Sequence, residues 1–206
     1  MVLVSHDTRV SPATTAERAV AGLLEVVARH GLAKTTLDDV AAAASCSRAT
    51  LYRHFANKQA LVDAAVGAEV QRFEAQLATA TADADTLTDA LTAVVVTSAR
   101  FVDDHGALRF LFDHEPQAIV PWLAFDRGDE FLGAAAPVLG APVERFVGAE
   151  QSRRVGEWLV RLLLASLTFA DERADLTDPT RAAALVTQFI VPVLEPAQSA
   201  PQGVAT

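Results

Sequence analysis

Apolar residues recur at helical spacing along most of the chain, and the gaps between runs fall on residues that start or stop helices. Val20, Leu23, Leu24 and Val27 stand at i, i+3, i+4 and i+7, with His30-Gly31 as the stop. Leu37, Val40, Ala41 and Ala44 make a shorter second stripe. Thr35 or Thr36 can cap it, and Asp38 and Asp39 occupy its first turn, where the helix dipole favours negative charge. Ser45-Cys46 turns the chain, and Ser47 caps a third helix with Leu51 and Phe55 pointing inward. Asn57 caps a fourth, predicted over 58–80 with Leu61, Ala65, Phe73 and Leu77 among its apolar positions.

Asp83–Thr86 break the pattern. Leu87, Leu91, Val94, Val95, Ser98, Phe101 and Val102 then predict a long helix ending near His105-Gly106. Gly128–Gly140 reads as a short segment broken by Pro137 and Pro142. Glu150–Asp171 predicts a strong helix in which Trp158–Ala170 is apolar nearly all round, the mark of burial on several sides. After the Asp178-Pro179 start, Ala182, Leu185, Val186, Phe189, Ile190, Val193 and Leu194 repeat the stripe for three turns, and Pro192 bends or ends it. The chain is therefore expected to be all-α. Residues 1–12 form an expected flexible arm and 196–206 a disordered tail, flanking domains at 13–62 and 63–195.

The third helix carries chemistry. With Leu51 and Phe55 inward, a wheel at 100° per residue puts Ala49 and Arg53 opposite them, Thr50 and Tyr52 on the flanks, and Arg48 and His54 nearer the core edge. Small Ala49 allows close approach and contact with a thymine methyl, while Arg53 can bond a guanine edge in two places. Thr50, Tyr52 and His54 suit phosphates. The Asn57 cap places Lys58 and free backbone N–H groups where a phosphate can sit. The expected DNA-contacting set is Thr36, Ser47, Arg48, Ala49, Thr50, Tyr52, Arg53, His54 and Lys58. The bland alternative is a helical hairpin with an ordinary solvated face. Arg9 in the arm suits a minor groove or simply solvent.

A net charge of −9 opposes DNA binding only until it is divided. Residues 1–66 hold seven Lys/Arg against six Asp/Glu, a net +1, whereas 67–206 hold ten against twenty, a net −10. The acid lies away from the DNA-reading end.

Residues 16–61, and SRATLYRHFANKQAL within them, resemble the DNA-binding domain of the TetR family, the tetracycline-repressor-like regulators. The resemblance covers about a quarter of the chain. It implies an N-terminal three-helix helix-turn-helix domain and a C-terminal helical domain that binds a ligand and dimerises. Ser45-Cys46 stands where members usually have Gly-Val. A left-handed backbone at Ser45 would cost on the order of 1 kcal/mol.

Phe101, Phe110, Phe112, Trp122, Phe125 and Phe131 crowd into 101–131, with Pro116 and Pro121 supplying bends. They suit either plain core packing or a pocket wall. The expected ligand-binding set is Phe101, His105, Phe110, His114, Trp122, Phe125, Phe131, Trp158 and Leu162. Arg100, Arg109 or Arg161 can meet an anionic group. The last two long helices either form a dimer face or cap their own core.

Asp113-His114-Glu115 diverge around a helix and cannot converge on one ion, so no metal or cofactor is expected. The single Cys46 excludes an intrachain disulfide and reads as a small hydrophobe in the turn. No secretion signal or membrane-spanning run is apparent, so a soluble cytoplasmic protein is expected. No nucleophile motif or Gly-rich phosphate loop supports an enzyme. An interaction module that had lost DNA binding would present neutral or acidic side chains in place of Arg48, Arg53 and Lys58. The expected function is a ligand-responsive transcriptional regulator. It would bind a palindromic double-stranded DNA operator as a homodimeric repressor and be released by a small apolar or amphipathic effector; activation by ligand stays open.

Overall fold

The computed structural model describes residues 13–118, 128–168 and 175–194, and no strand occurs among them. The expected arm with Arg9, the expected tail, Pro121, Trp122 and Phe125 lie outside the described residues. So does the expected end of the helix at Asp171. Contacts divide the chain into two compact units, Met1–Ala68 and Glu69–Thr206. The division falls inside the fourth helix.

The first unit contains α1 (Thr15–His30), α2 (Leu37–Ala43), α3 (Arg48–His54) and the start of α4 (Lys58–Thr81). A reciprocal cap opens α1: the Thr14 hydroxyl accepts from the Glu17 N–H (3.2 Å), and the Glu17 carboxylate accepts from the Thr14 N–H (2.7 Å). Its buried seam is Ala19, Gly22, Leu23, Val26 and Val27. The expected stripe was rotated from this, since Val20 and Leu24 are only half-buried. The cause is close helix approach. A Cβ built at Gly22 would lie 3.0 Å from the Ala44 nitrogen and 3.2 Å from the Val40 carbonyl oxygen, so α1 meets α2 almost backbone to backbone.

In the second unit α5 (Leu87–Asp104) lies at the centre, with Ala90, Leu91, Val94 and Val95 fully buried. Around it come α6 (Gly106–His114), α7 (Gly128–Gly140), a 3₁₀ turn at Ala141–Val143, α8 (Glu144–Val147), α9 (Ala149–Thr168), α10 (Pro179–Leu185), a π turn at Val186–Ile190 and α11 (Val191–Leu194). The α5 helix packs against α6, α9, α10 and both irregular turns. Leu77 of α4 joins Leu139, Val143, Val155, Leu159, Ala182 and Val186 in one apolar cluster with it. Each Leu or Val so buried stabilises by about 1.5–3 kcal/mol. That burial, more than helix propensity, holds helices this short.

Three expectations need correction. Pro137 does not break its segment: α7 runs through it to Gly140. Ala136 and Leu139 on either side are buried, while Pro137 and Gly133 are exposed. The carbonyl that loses its i+4 donor is that of Gly133, and water can satisfy it. Second, α9 is not buried all round. Leu159 and Val160 are buried, but Trp158 is 72% exposed. Third, the last helix is not uniform. The Val191 N–H reaches back to the Val186 carbonyl, five residues away. Pro192 follows at once, and its ring would press on the Gln188 carbonyl in a regular α-helix; the widened turn relieves that clash.

Arg145 of α8, which no sequence pattern singles out, donates to the Thr81 carbonyl (3.0 Å) and the Ala84 carbonyl (2.6 Å), tying α8 to the end of α4. Among the described residues no helix is long and apolar enough to cross a membrane.

The α7–α9 crossing is closer than that of α1 and α2. A Cβ at Gly156 would overlap the Ala136 carbonyl oxygen, and one at Gly140 the Ser152 carbonyl oxygen. Gly156→Ala is therefore expected to cost about 1–3 kcal/mol through overpacking, read as a lower urea midpoint. Gly133→Ala, where a Cβ meets nothing within 4 Å, should leave the midpoint unchanged or raise it. Equal midpoints for the two variants would contradict this crossing.

Candidate nucleic-acid interface

The geometry of α3 is set by the turn before it. Ala44 ends α2, and Ser45 takes φ 51°, the one non-glycine residue with positive φ among the described residues. The Ser45 N–H donates to the Ala42 carbonyl (3.1 Å) and the Cys46 N–H to the Ala41 carbonyl (2.9 Å). These are the two crossing bonds of a Schellman ending, which wants glycine where Ser45 stands. The left-handed backbone that the sequence leaves conditional is present. Cys46 is half-buried in this turn.

Both short helices are capped at their N-termini. Thr36, not Thr35, opens α2: its hydroxyl accepts from the Asp39 N–H (3.2 Å), and the Asp39 carboxylate accepts from the Thr36 N–H (3.0 Å). Thr35 is buried and donates to the Gly31 carbonyl (2.6 Å). The Thr36 hydroxyl, and after it the Thr36 backbone N–H, holds the Asp39 carboxyl below the usual carboxylate range. That contribution to stability is present above the usual range and is lost as pH falls through the depressed value. Ser47 opens α3, its hydroxyl accepting from the Thr50 N–H (3.0 Å) and bonding the Thr50 hydroxyl (2.8 Å). Asn57 caps α4 through the Ala60 N–H (2.8 Å).

On α3 only Leu51 is buried. Ala49, Tyr52 and Arg53 are exposed and Thr50 is half-buried. Arg48 and His54, expected nearer the core edge, are exposed too. Phe55 has already left the helix for extended backbone, so its side chain does not widen the buried side of the wheel. His54 has its ring 6.4 Å from that of Phe55.

The cations of this region differ in their commitments. Arg48 pairs with Asp38 of α2 at 3.0 Å, donates to the Tyr52 hydroxyl at 3.4 Å and lies 5.5 Å from the Tyr52 ring centre. The Tyr52 hydroxyl first, and the Asp38 carboxylate second, raise its pKa further above the arginine value. Lys58 is half-buried and donates to the Leu32 carbonyl, so its ammonium braces the α1–α2 loop. Arg53 makes no hydrogen bond or ion pair among the described residues and stands exposed in the last turn of α3. Sequence reading assigns Asp38 only to the helix dipole. Its partner lies ten positions away across a turn, and no periodicity links them.

A short helix opened by a Ser cap, following a tight turn and projecting an unengaged Arg, is the geometry of a recognition helix. Residues 20–65 match the family described as bacterial regulatory proteins, tetR family. Over 174 residues the chain is 30% identical to an uncharacterised HTH-type transcriptional regulator of Mycobacterium tuberculosis, covering 80% of this chain and 77% of that protein. The chain belongs to the TetR family. Like other TetR-family members it is a DNA-binding transcriptional regulator, and the all-α architecture with an N-terminal helix-turn-helix accords with that. Its fold is similar to that of the TetR-family repressor AlkX from Dietzia, implicated in biodegradation of n-alkanes, with TM-score 0.63, 22% identity, and 90% of this chain and 96% of that chain covered. It is also similar to the fatty acid degradation regulator FadR from Bacillus halodurans, with TM-score 0.54, 14% identity, and 87% and 98% covered.

The described residues among those expected to bind a ligand stand in several settings. Phe101 lines a cleft of about 590 Å³ between α4 and α5, together with Arg72, Gln76, Thr79, Thr97 and Arg100. His105 is buried and committed. Its Nδ1 accepts from the Leu108 N–H (3.2 Å) to cap α6, so the proton sits on Nε2, which faces Glu69 at 3.1 Å. The half-buried Phe110 stacks on the exposed His114 at 4.5 Å. Phe131 and Leu162 pack against the apolar cluster, and Trp158 faces outward beside Arg161. Arg100 donates to the Thr177 carbonyl (3.0 Å), and Arg109 pairs with Asp103 (2.9 Å). A second cleft, of about 430 Å³, is lined by Glu74, Leu77, Thr81, Pro137, Val138 and Pro142, none of which the sequence reading placed in a ligand site.

Because Ser45 is left-handed without being glycine, Ser45→Gly is expected to stabilise the DNA-reading unit by on the order of 1 kcal/mol. Thermal unfolding would show a midpoint raised by a few degrees. A midpoint that is unchanged or lower would mean the turn carries no such strain.

Proposed function

We propose that this TetR-family regulator is a ligand-responsive repressor that binds a roughly palindromic operator as a homodimer and releases it when a small apolar or amphipathic effector enters its C-terminal unit. The observation that carries the DNA half is Arg53: an exposed guanidinium on the recognition helix, uncommitted among the described residues and close to small, exposed Ala49. DNA reading is assigned to 13–62 and effector binding and dimerisation to 63–195. Two α3 helices of a symmetric dimer enter successive major grooves about 34–36 Å apart.

Support for the homodimer comes from Trp158 on α9, Phe189 in the π turn and Val193 on α11. They are 72%, 65% and 78% exposed, large apolar side chains on the two helical segments expected to form the dimer face. Support for the effector comes from the mostly apolar cleft beside Leu77 and Val138 and from the cleft beside Phe101. The effector shifts the equilibrium only by its differential affinity for the two states.

Duplexes from the region upstream of the coding sequence, titrated by fluorescence anisotropy at several salt concentrations, test this reading. One duplex is expected to bind two protomers and to outcompete shuffled sequence. Arg53→Ala should cost roughly 10- to 100-fold on that duplex, the worth of one bidentate base contact, with far less loss on shuffled DNA. Trp158→Asp should shift the sedimentation coefficient toward the monomer and abolish two-protomer binding. Affinity indifferent to sequence and to Arg53→Ala would refute the operator, and a wild-type monomer would refute the dimer.

A further inference from the structure

The Asp38–Arg48–Tyr52 cluster serves no obvious purpose in stability. Both charged side chains are about three-fifths exposed, 61% for Arg48 and 62% for Asp38, and an ion pair in that setting contributes little in water. What the cluster does is hold a guanidinium. Asp38 takes Nη1 at 3.0 Å, the Tyr52 hydroxyl takes Nη2 at 3.4 Å, and the Tyr52 ring lies 5.5 Å from the guanidinium carbon. Arg48 is the first residue of α3, at the edge of the face that meets DNA, and on α3 the other arginine, Arg53, has no such restraint.

We infer that Asp38 is a specificity-determining residue that acts through Arg48, holding its guanidinium away from phosphates so that the protein grips DNA of arbitrary sequence weakly. A phosphate offers Arg48 only an exchange of one anion for another and leaves Asp38 unpaired beside the polyanion. A duplex whose groove supplies a directed acceptor within reach of the held guanidinium gains a contact without that exchange. The net charge of only +1 over residues 1–66 fits a reader that keeps generic attraction small. This rests on α3 being the DNA-reading helix but not on any particular operator.

The test uses the full-length chain with Asp38→Asn and Asp38→Ala, each alone and combined with Arg48→Ala, on shuffled duplex over a range of salt. Circular dichroism checks that each variant folds. Both single variants are expected to bind shuffled DNA more tightly. Their plots of log affinity against log salt should steepen by about 0.9 for each arginine set free to neutralise a phosphate. The added slope should vanish in the Arg48→Ala background. If shuffled-DNA affinity and slope stay at the wild-type level, or if removing Asp38 has the same effect with and without Arg48, the inference fails. Absence of sequence preference in the wild type would count against the operator alone, because the slope comparison needs no operator.

Discussion

A seven-residue helix is mostly ends, and the DNA-reading unit depends on how those ends are satisfied. The first four N–H groups and last four C=O groups of any helix lack partners within it, so in α2 and α3 nearly every backbone group lies within reach of a terminus. Isolated helices below about 12–15 residues are marginal in water. Thr36 and Asp39, the crossed bonds at Ser45 and Cys46, Ser47 and Asn57 follow one another within 22 residues, each closing one open end. The orientation of the recognition helix is therefore a property of its caps and of the α1–α2 contact at Gly22. Leu51, the single buried side chain of α3, fixes which face turns inward.

The same short segment also manages its charge. The Lys58 ammonium is engaged by a backbone carbonyl, Arg48 by a carboxylate and a phenol, and Asp39 by the helix end it caps. What reaches solvent without a partner is small by comparison. A protein carrying −9 overall cannot rely on bulk attraction to find DNA, and here Arg48 and Lys58 are already engaged as well, which leaves Arg53. Recognition then has to come from directed contacts.

Much of this was legible in the sequence because helix caps and tight turns have short-range chemical signatures. Ser47, Asn57, Asp178-Pro179 and the left-handed position at Ser45 are all readable from a few adjacent residues. The order of helices and the arginine on the outer face of α3 followed from the same local rules. What stayed hidden depends on approach between elements distant in sequence. Gly22, Gly140 and Gly156 add nothing to a hydrophobic stripe, yet they sit where helices meet most closely. Asp38 finds Arg48 across a turn, and His105 finds Glu69 from another helix. Aromatic density near residues 101–131 suggested a pocket, but composition does not say which rings converge: Phe110 pairs with His114 along α6 while Phe101 lines a cleft.

The widened turn at Val186–Ile190 has a consequence for how the end of the chain is specified. A π turn spends one residue more than an α turn on the same advance. Side chains beyond it are therefore offset by about 100° from where an unbroken helix would put them. Val191 is buried and Val193 exposed because residues two apart on a helix point about 200° apart, and the offset sets where that pair is aimed; their hydrophobicity is identical. The facing of this last segment is thus a matter of counting. A length change of one residue within 186–190 re-aims everything after it, whereas many changes of identity there would leave the aim untouched.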